Sequence, residues 1–153
     1  MTVESMEAMD KEFMAVARQQ AQESLNHGGV PVGSTLVRDS RIIGIGHNQR
    51  VQKNDAIAHG EMDCIRKAGR QRTYKDTTLY TTLSPCMMCA GAIIQFGILR
   101  VVIGENQTFG GNEEFLRERG VEIVILNDHR CKALMDEFIM RFPNIWNEDI
   151  GEE

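Results

Sequence analysis

Two short segments hold the residues whose types and spacing could do chemistry. His59 and Glu61 stand in AIAHGEMDC at 56–64, and Cys86 and Cys89 stand in LSPCMMC at 83–89. A CxxC pair serves as a redox couple, a structural clip or half of a metal site. Positions i and i+3 share a helix face, so both sulfurs can meet at one point. Pro85 marks a helix start, where free N–H groups and the positive dipole end lower a thiol's pKa. That geometry suits redox and metal chemistry equally, and His59 decides between them. It adds a third ligand of the kind zinc takes, and three protein ligands leave the fourth tetrahedral position to water, the catalytic form of a zinc site. Glu61 is placed to carry the protons of that water without binding the metal. A lone glutamate there would be read as an acid favouring a first helical turn.

Elements that would position these residues can be read from the periodicity. Apolar residues at helical spacing predict a helix from Ser5 to Asn26, ended by His27-Gly28-Gly29. Two β-branched runs joined by Arg38-Asp39-Ser40 predict a hairpin over 29–48. Helices are predicted over 58–68, 86–96, 113–119 and 128–142, with strands over 78–82, 101–104 and 121–126. The alternation argues for an α/β layer architecture with parallel neighbours in the later half. Both motifs then lie at strand-to-helix or loop-to-helix junctions. No internal boundary interrupts residues 1–153, which are expected to form a single domain.

The chain has 153 residues, 42% hydrophobic and 25% charged, with 17 basic against 22 acidic residues and a net charge of −5. Such a balance advertises no nucleic-acid partner, and the cluster RKAGRQR at 66–72 reads as a solvated helix end. No apolar stretch approaches the roughly 18 residues of a membrane span, and the first thirteen residues lack a leader pattern. A cytoplasmic protein without a membrane partner is expected, and reducing surroundings disfavour a disulfide. Cys64 lies five residues from His59, about 500° round an ideal helix and so turned away from it. Cys131 has no motif around it, and both are expected to be small buried hydrophobes.

HxE followed by PCxxC is the ligand pattern of zinc-dependent nucleobase deaminases. Beyond that pattern, GGVPVG at 28–33, GHN at 46–48, YKDTTLYTTLSPC at 74–86, CAGAII at 89–94, GEN at 104–106 and WNEDIGE at 146–152 have close counterparts in one family. Across nearly its whole length the chain resembles the small, homodimeric cytosine deaminases of the fungal type, within the cytidine deaminase-like superfamily. The resemblance implies a three-layer α/β/α sandwich with a central five-stranded mixed sheet, and one Zn²⁺ per subunit of a homodimer. It implies hydrolysis of the free base cytosine to uracil and ammonia, a step of pyrimidine salvage.

Two thiolates and an imidazole would leave the zinc site formally neutral, which makes Glu61 important as the proton carrier. By resemblance Asn48 and the Gly60 N–H meet the O2 and N1 edge of the base. The Ser84 carbonyl and Asp149 lie near the exocyclic amine, and Phe109 and Trp146 cover the ring. Asn48 could otherwise be a turn former, and Trp146 could pack on the protein's own core or a partner subunit instead of forming a lid. In the fungal pattern GHNxRF the phenylalanine lines the pocket mouth; here Val51 stands in its place and implies a roomier pocket. Rival readings are a deaminase of a related amino-azine, of guanine or of a nucleoside, a tRNA adenosine deaminase, and a non-catalytic zinc or redox module. The tRNA enzymes typically read HAE where this chain has HGE.

Overall fold

In the computed structural model, which describes residues 2–152, eleven elements follow one another. They are α1 (Val3–Asn26), β1 (Gly33–Arg38), β2 (Arg41–His47), α2 (Gly60–Ala68), β3 (Thr77–Leu83), α3 (Met87–Phe96), β4 (Arg100–Glu105), α4 (Glu113–Glu118), β5 (Glu122–Ile125), α5 (His129–Arg141) and α6 (Pro143–Asp149). Local chemistry explains their ends. Thr2 caps α1 by accepting from the Ser5 amide at 3.0 Å, which starts the helix two residues earlier than its periodicity suggests. Asp128 caps α5 through the Arg130 and Cys131 amides. Asp39 and Ser40 turn the hairpin with φ of 50° and 61°, the left-handed pair that a two-residue loop needs.

The five strands form one mixed sheet in the order β2-β1-β3-β4-β5. β1 is antiparallel to both β2 and β3, whereas β3, β4 and β5 run parallel, with Thr81 opposite Ile103 and Val102 opposite Val124. Alternation along the strands sorts their side chains to two faces. Leu36, Leu79, Val101 and Ile103 pack against Cys64 and Ile65 of α2, Ala90 and Ile93 of α3 and Leu116 of α4. Val37, Tyr80 and Val102 pack against Phe13, Met14 and Ala17 of α1 and Cys131 of α5. The result is an α/β/α sandwich, as the family resemblance implies. A third apolar cluster, with Leu25, Val30, Val32, Leu83, Met135, Phe138 and Trp146, closes one end.

The tail forms a helix that the periodicity did not announce. Pro143 sits in the first turn of α6, where its fixed φ and missing N–H are favourable, and Trp146 is rooted in the third cluster at 8% exposure. Among the described residues no helix is long and apolar enough to cross a membrane. All four cysteines are free, with Cys64 and Cys131 buried as expected.

Candidate active site

The parallel half of the sheet delivers its connections beyond the carboxyl ends of the strands, where sites of open α/β sheets form. β3 ends at Leu83 and hands the chain through Ser84 and Pro85 to Cys86, the N-cap of α3. The Cys86 sulfur accepts from the Cys89 amide at 3.5 Å, so the capping geometry itself turns both thiols to one side. His59 is the N-cap of α2 but makes no side-chain cap, because its imidazole points to the sulfurs and leaves first-turn amides, Gly60 included, without a side-chain acceptor from it.

His59 Nδ1 lies 3.4 Å from Cys86 Sγ and 3.8 Å from Cys89 Sγ, and the ligand atoms of the three residues all fall within 4.8 Å of one another. A tetrahedral zinc with bonds of about 2.0–2.1 Å to nitrogen and about 2.3 Å to sulfur sets those ligands about 3.6 Å apart. The donor set therefore fits zinc. His59 Nε2 lies 2.9 Å from Asp149 Oδ1, which selects the Nε2–H tautomer and frees Nδ1 for a metal. Burial opposes a charge on this imidazole, yet the hydrogen bonds it donates to Asp149 and Cys86 outweigh it and raise its pKa to about 10. Hydrogen bonds from Cys89 and His59 hold Cys86 down at about 4 against burial, while Cys89 is pushed well up. One thiolate is thus in place, and a metal would displace two protons, that of the Cys89 thiol and the Nδ1 proton of the charged His59.

Glu61, 3% exposed, lines the same cavity two residues along α2. Burial, aided by the charge on Cys86, raises its carboxyl to about 7. Asn48, Gly60, Ser84, Phe109, Trp146 and Asp149 line the cavity with His59 and Cys86, so every residue expected at the site except Cys89, which sits just behind, reaches its wall. Free volume there is only ≈ 30 Å³. Two larger hollows, ≈ 540 and ≈ 620 Å³, run along α1 and α5 and share no lining residue with it. Size is a poor guide in this molecule: the converging thiols, imidazole and raised carboxyl mark the small cavity.

Asn48 does two things. Its Oδ1 accepts from the Arg50 amide at 3.0 Å, an Asx turn, while its Nδ2 donates to Asp149 Oδ2 at 3.2 Å inside the site. Its own backbone N–H donates to the Val32 carbonyl at 2.9 Å. That same carbonyl explains Gly60, for a Cβ at 60 would stand 2.8 Å from it. Phe109 and Trp146 meet edge to face, 6.3 Å between centroids at 89°. α6 is fastened on both sides, by Asp149 within and by a 2.7 Å Glu148–Arg50 ion pair without.

Val51 departs from expectation. It does not line the cavity but rides the turn at 51–54 with 41% exposure, so its small size leaves the cavity no wider. The expectations also omitted Val32, Leu83 and Ile150 as apolar wall, and Glu113, which touches Ser84 from outside.

Residues 7–105 match the family model described as the cytidine and deoxycytidylate deaminase zinc-binding region. The chain belongs to this deaminase family. Among members, it is 54% identical over 146 residues to a cytosine deaminase of Candida albicans, covering 94% of this chain and 97% of the relative. It is 38% identical over 135 residues to a tRNA-specific adenosine deaminase of Buchnera aphidicola, covering 86% of each. A solved structure from work on A-to-I editing by tRNA:A34 deaminases superimposes with a TM-score of 0.72 at 29% identity, over 81% of this chain and 99% of that one. The deaminase fold is thus shared by enzymes named for different substrates, and the walls of the cavity must account for the choice among them.

Proposed function

We propose that the chain is a single-domain, zinc-dependent cytosine deaminase that converts cytosine and water to uracil and ammonia. The observation that carries the choice of a free base is the closed end of the site. α6 lays Trp146 and Asp149 across the cavity and leaves only ≈ 30 Å³ of it free, so that even a small flat base enters only as α6 gives way, and an attached sugar has still less room. The tRNA-type alternative needs that side open, and the high identity to a fungal cytosine deaminase points the same way.

Zinc held by His59, Cys86 and Cys89 supplies the acidity that makes water a nucleophile near neutral pH. Glu61 takes the proton released as water attacks C4 and passes it to the ring nitrogen beside C4. It then carries the proton of the new C4 hydroxyl to the amine, and the C4–N bond breaks as the C4 carbonyl forms, releasing ammonia. Burial raises the Glu61 carboxyl, which suits a group that has to accept a proton and return it. Asn48 and the Gly60 N–H orient the O2 and N1 edge, the Ser84 carbonyl and Asp149 receive the amine, and Phe109 and Trp146 hold the ring and exclude water. Asp149 also steadies His59, so base and metal ligand meet at one carboxylate. The homodimer is carried by the resemblance to the fungal-type enzymes.

Ammonia release from cytosine, 5-methylcytosine, isocytosine, cytidine, adenine, guanine and creatinine tests the reading. Cytosine is expected to give the highest kcat/KM, with about one zinc per chain and a two-chain mass by light scattering. Faster turnover of cytidine, guanine or a tRNA adenosine would overturn the substrate. A one-chain mass would remove the dimer.

A further inference from the structure

Ser84 and Phe109 reach the cavity from separate segments, the turn after β3 and the loop at 106–112 between β4 and α4. The strand ladder barely joins them, through the Ser84 amide and the Glu105 carbonyl at 3.0 Å. Glu113, first residue of α4, fills the gap. Its Oε2 accepts from the Ser84 hydroxyl at 3.0 Å and from the Gly111 and Asn112 amides at 2.8 and 3.0 Å, and its Oε1 accepts from the Asn106 side chain at 2.9 Å. Asn112 in turn donates its side-chain amide to the Pro85 carbonyl at 3.0 Å, one residue from Cys86. Gly111, at φ +113°, lets the backbone wrap the carboxylate. From the other side, Glu105 Oε2 accepts from the Gln107 and Thr108 amides at 2.8 and 3.0 Å. Phe109 is therefore carried on a short tip between two carboxylate clamps.

An acid in the first turn of a helix usually serves that helix alone. Here Ser84, Asn106 and Gly111 lie outside α4, and only Asn112, its N-cap, belongs to the helix start. Burial works against the charge of Glu113, but donors from Asn106, Gly111, its own amide and Ser84 outweigh it and hold the carboxyl below its ordinary range.

We propose that Glu113 is a positioning residue for the base, tying the segment that presents the Ser84 carbonyl to the loop that presents the Phe109 ring and so setting the spacing between the two. The inference rests on the free-base reading of the site. A glutamine at 113 has the right shape but only one acceptor oxygen, and its amide would face either the Asn106 donor or the Gly111 and Asn112 amides. Both segments would then loosen while the metal ligands stay.

Steady-state kinetics, zinc content and thermal melting of Glu113→Gln, Glu113→Ala and Ser84→Ala test this, with the solvent-facing Glu114→Gln as control. Glu113→Gln is expected to raise KM for cytosine about tenfold and to lower kcat/KM by up to about 10²-fold, the penalty for ångström-scale misplacement, at unchanged zinc content. Ser84→Ala removes one tether and is expected to raise KM several-fold. Glu114→Gln is expected to stay within about twofold of the parent. A lowered melting temperature with parental KM and kcat in the folded, zinc-loaded variants would make Glu113 a structural residue only and overturn the proposal, as would zinc loss from Glu113→Gln. If Glu113→Ala does not fold, the other two variants decide. Should the parent prefer another base, the free-base cytosine reading fails. The ratio of variant to parent on that preferred substrate still decides the role of Glu113.

Discussion

A carboxyl within a deaminase cavity has to be judged by what surrounds it, and Glu61 has buried surroundings, a thiolate neighbour and a pKa near 7. Its spacing from His59 makes the assignment legible in sequence: two residues place it on the next step of the same first turn, close to the metal ligand but pointing elsewhere. Glu61→Gln keeps shape and removes the proposed proton carrier. Zinc content and cytosine binding are expected to persist while kcat falls by a factor on the order of 10²–10⁴. Turnover within a few-fold of the parent would assign proton transfer to another group. Glu113 was not legible in this way, since its donors come from 84, 106, 111 and 112, and no local period links residues brought together only by the sheet. Val51 failed for the opposite reason. A position can align with a pocket residue of a family and still be carried outward by its own turn.

At the scale of elements, the later strands and longer helices follow their hydrophobic periods to within a residue or two, because each buries one face on the sheet, whereas the hairpin predicted from residue 29 begins only at Gly33. α6 escaped that logic. It has seven residues, too few for a periodic signal, and it is held by Pro143, by the burial of Trp146 and by the Asp149 and Glu148 contacts across the site. Trp146 is wall and core at once: it lines the cavity and belongs with Leu25, Met135 and Phe138 to the third apolar cluster. Trp146→Ala should consequently do two separable things. Loss of a buried indole is expected to cost about 3–5 kcal/mol of stability. In the fraction that remains folded at low temperature, kcat/KM for cytosine is expected to fall by about 10² as the ring loses its cover. Parental kcat/KM at equal folded fraction would restrict Trp146 to the core.

The whole molecule separates its chemistry from a second polar centre. The cavity lies beyond the carboxyl ends of β3 and β4, while Arg100 and Glu122, the first residues of β4 and β5, meet Asp10 of α1 and Tyr80 of β3 in a network at the other end of those strands. Arg100 grips Asp10 with two nitrogens at 2.9 and 2.8 Å and Glu122 with a third at 2.8 Å, and the Tyr80 hydroxyl donates to Asp10 at 2.8 Å. Asp10 is 4% exposed, so its charge is tolerated only because the bidentate guanidinium and the phenol satisfy it. These contacts fasten α1 to the parallel strands that aim Ser84 and Glu105 at the site, yet none touches a cavity residue. Asp10→Ala leaves Arg100 with only the solvent-facing Glu122, and breaking such a buried pair is expected to cost about 3–5 kcal/mol. Denaturant unfolding of the zinc-loaded protein measures that loss, and kcat and KM of the folded enzyme should match the parent. If Asp10→Ala instead lowers kcat at full folding, the two ends of the sheet are coupled, and α1 must be counted among the elements that set the geometry of the site.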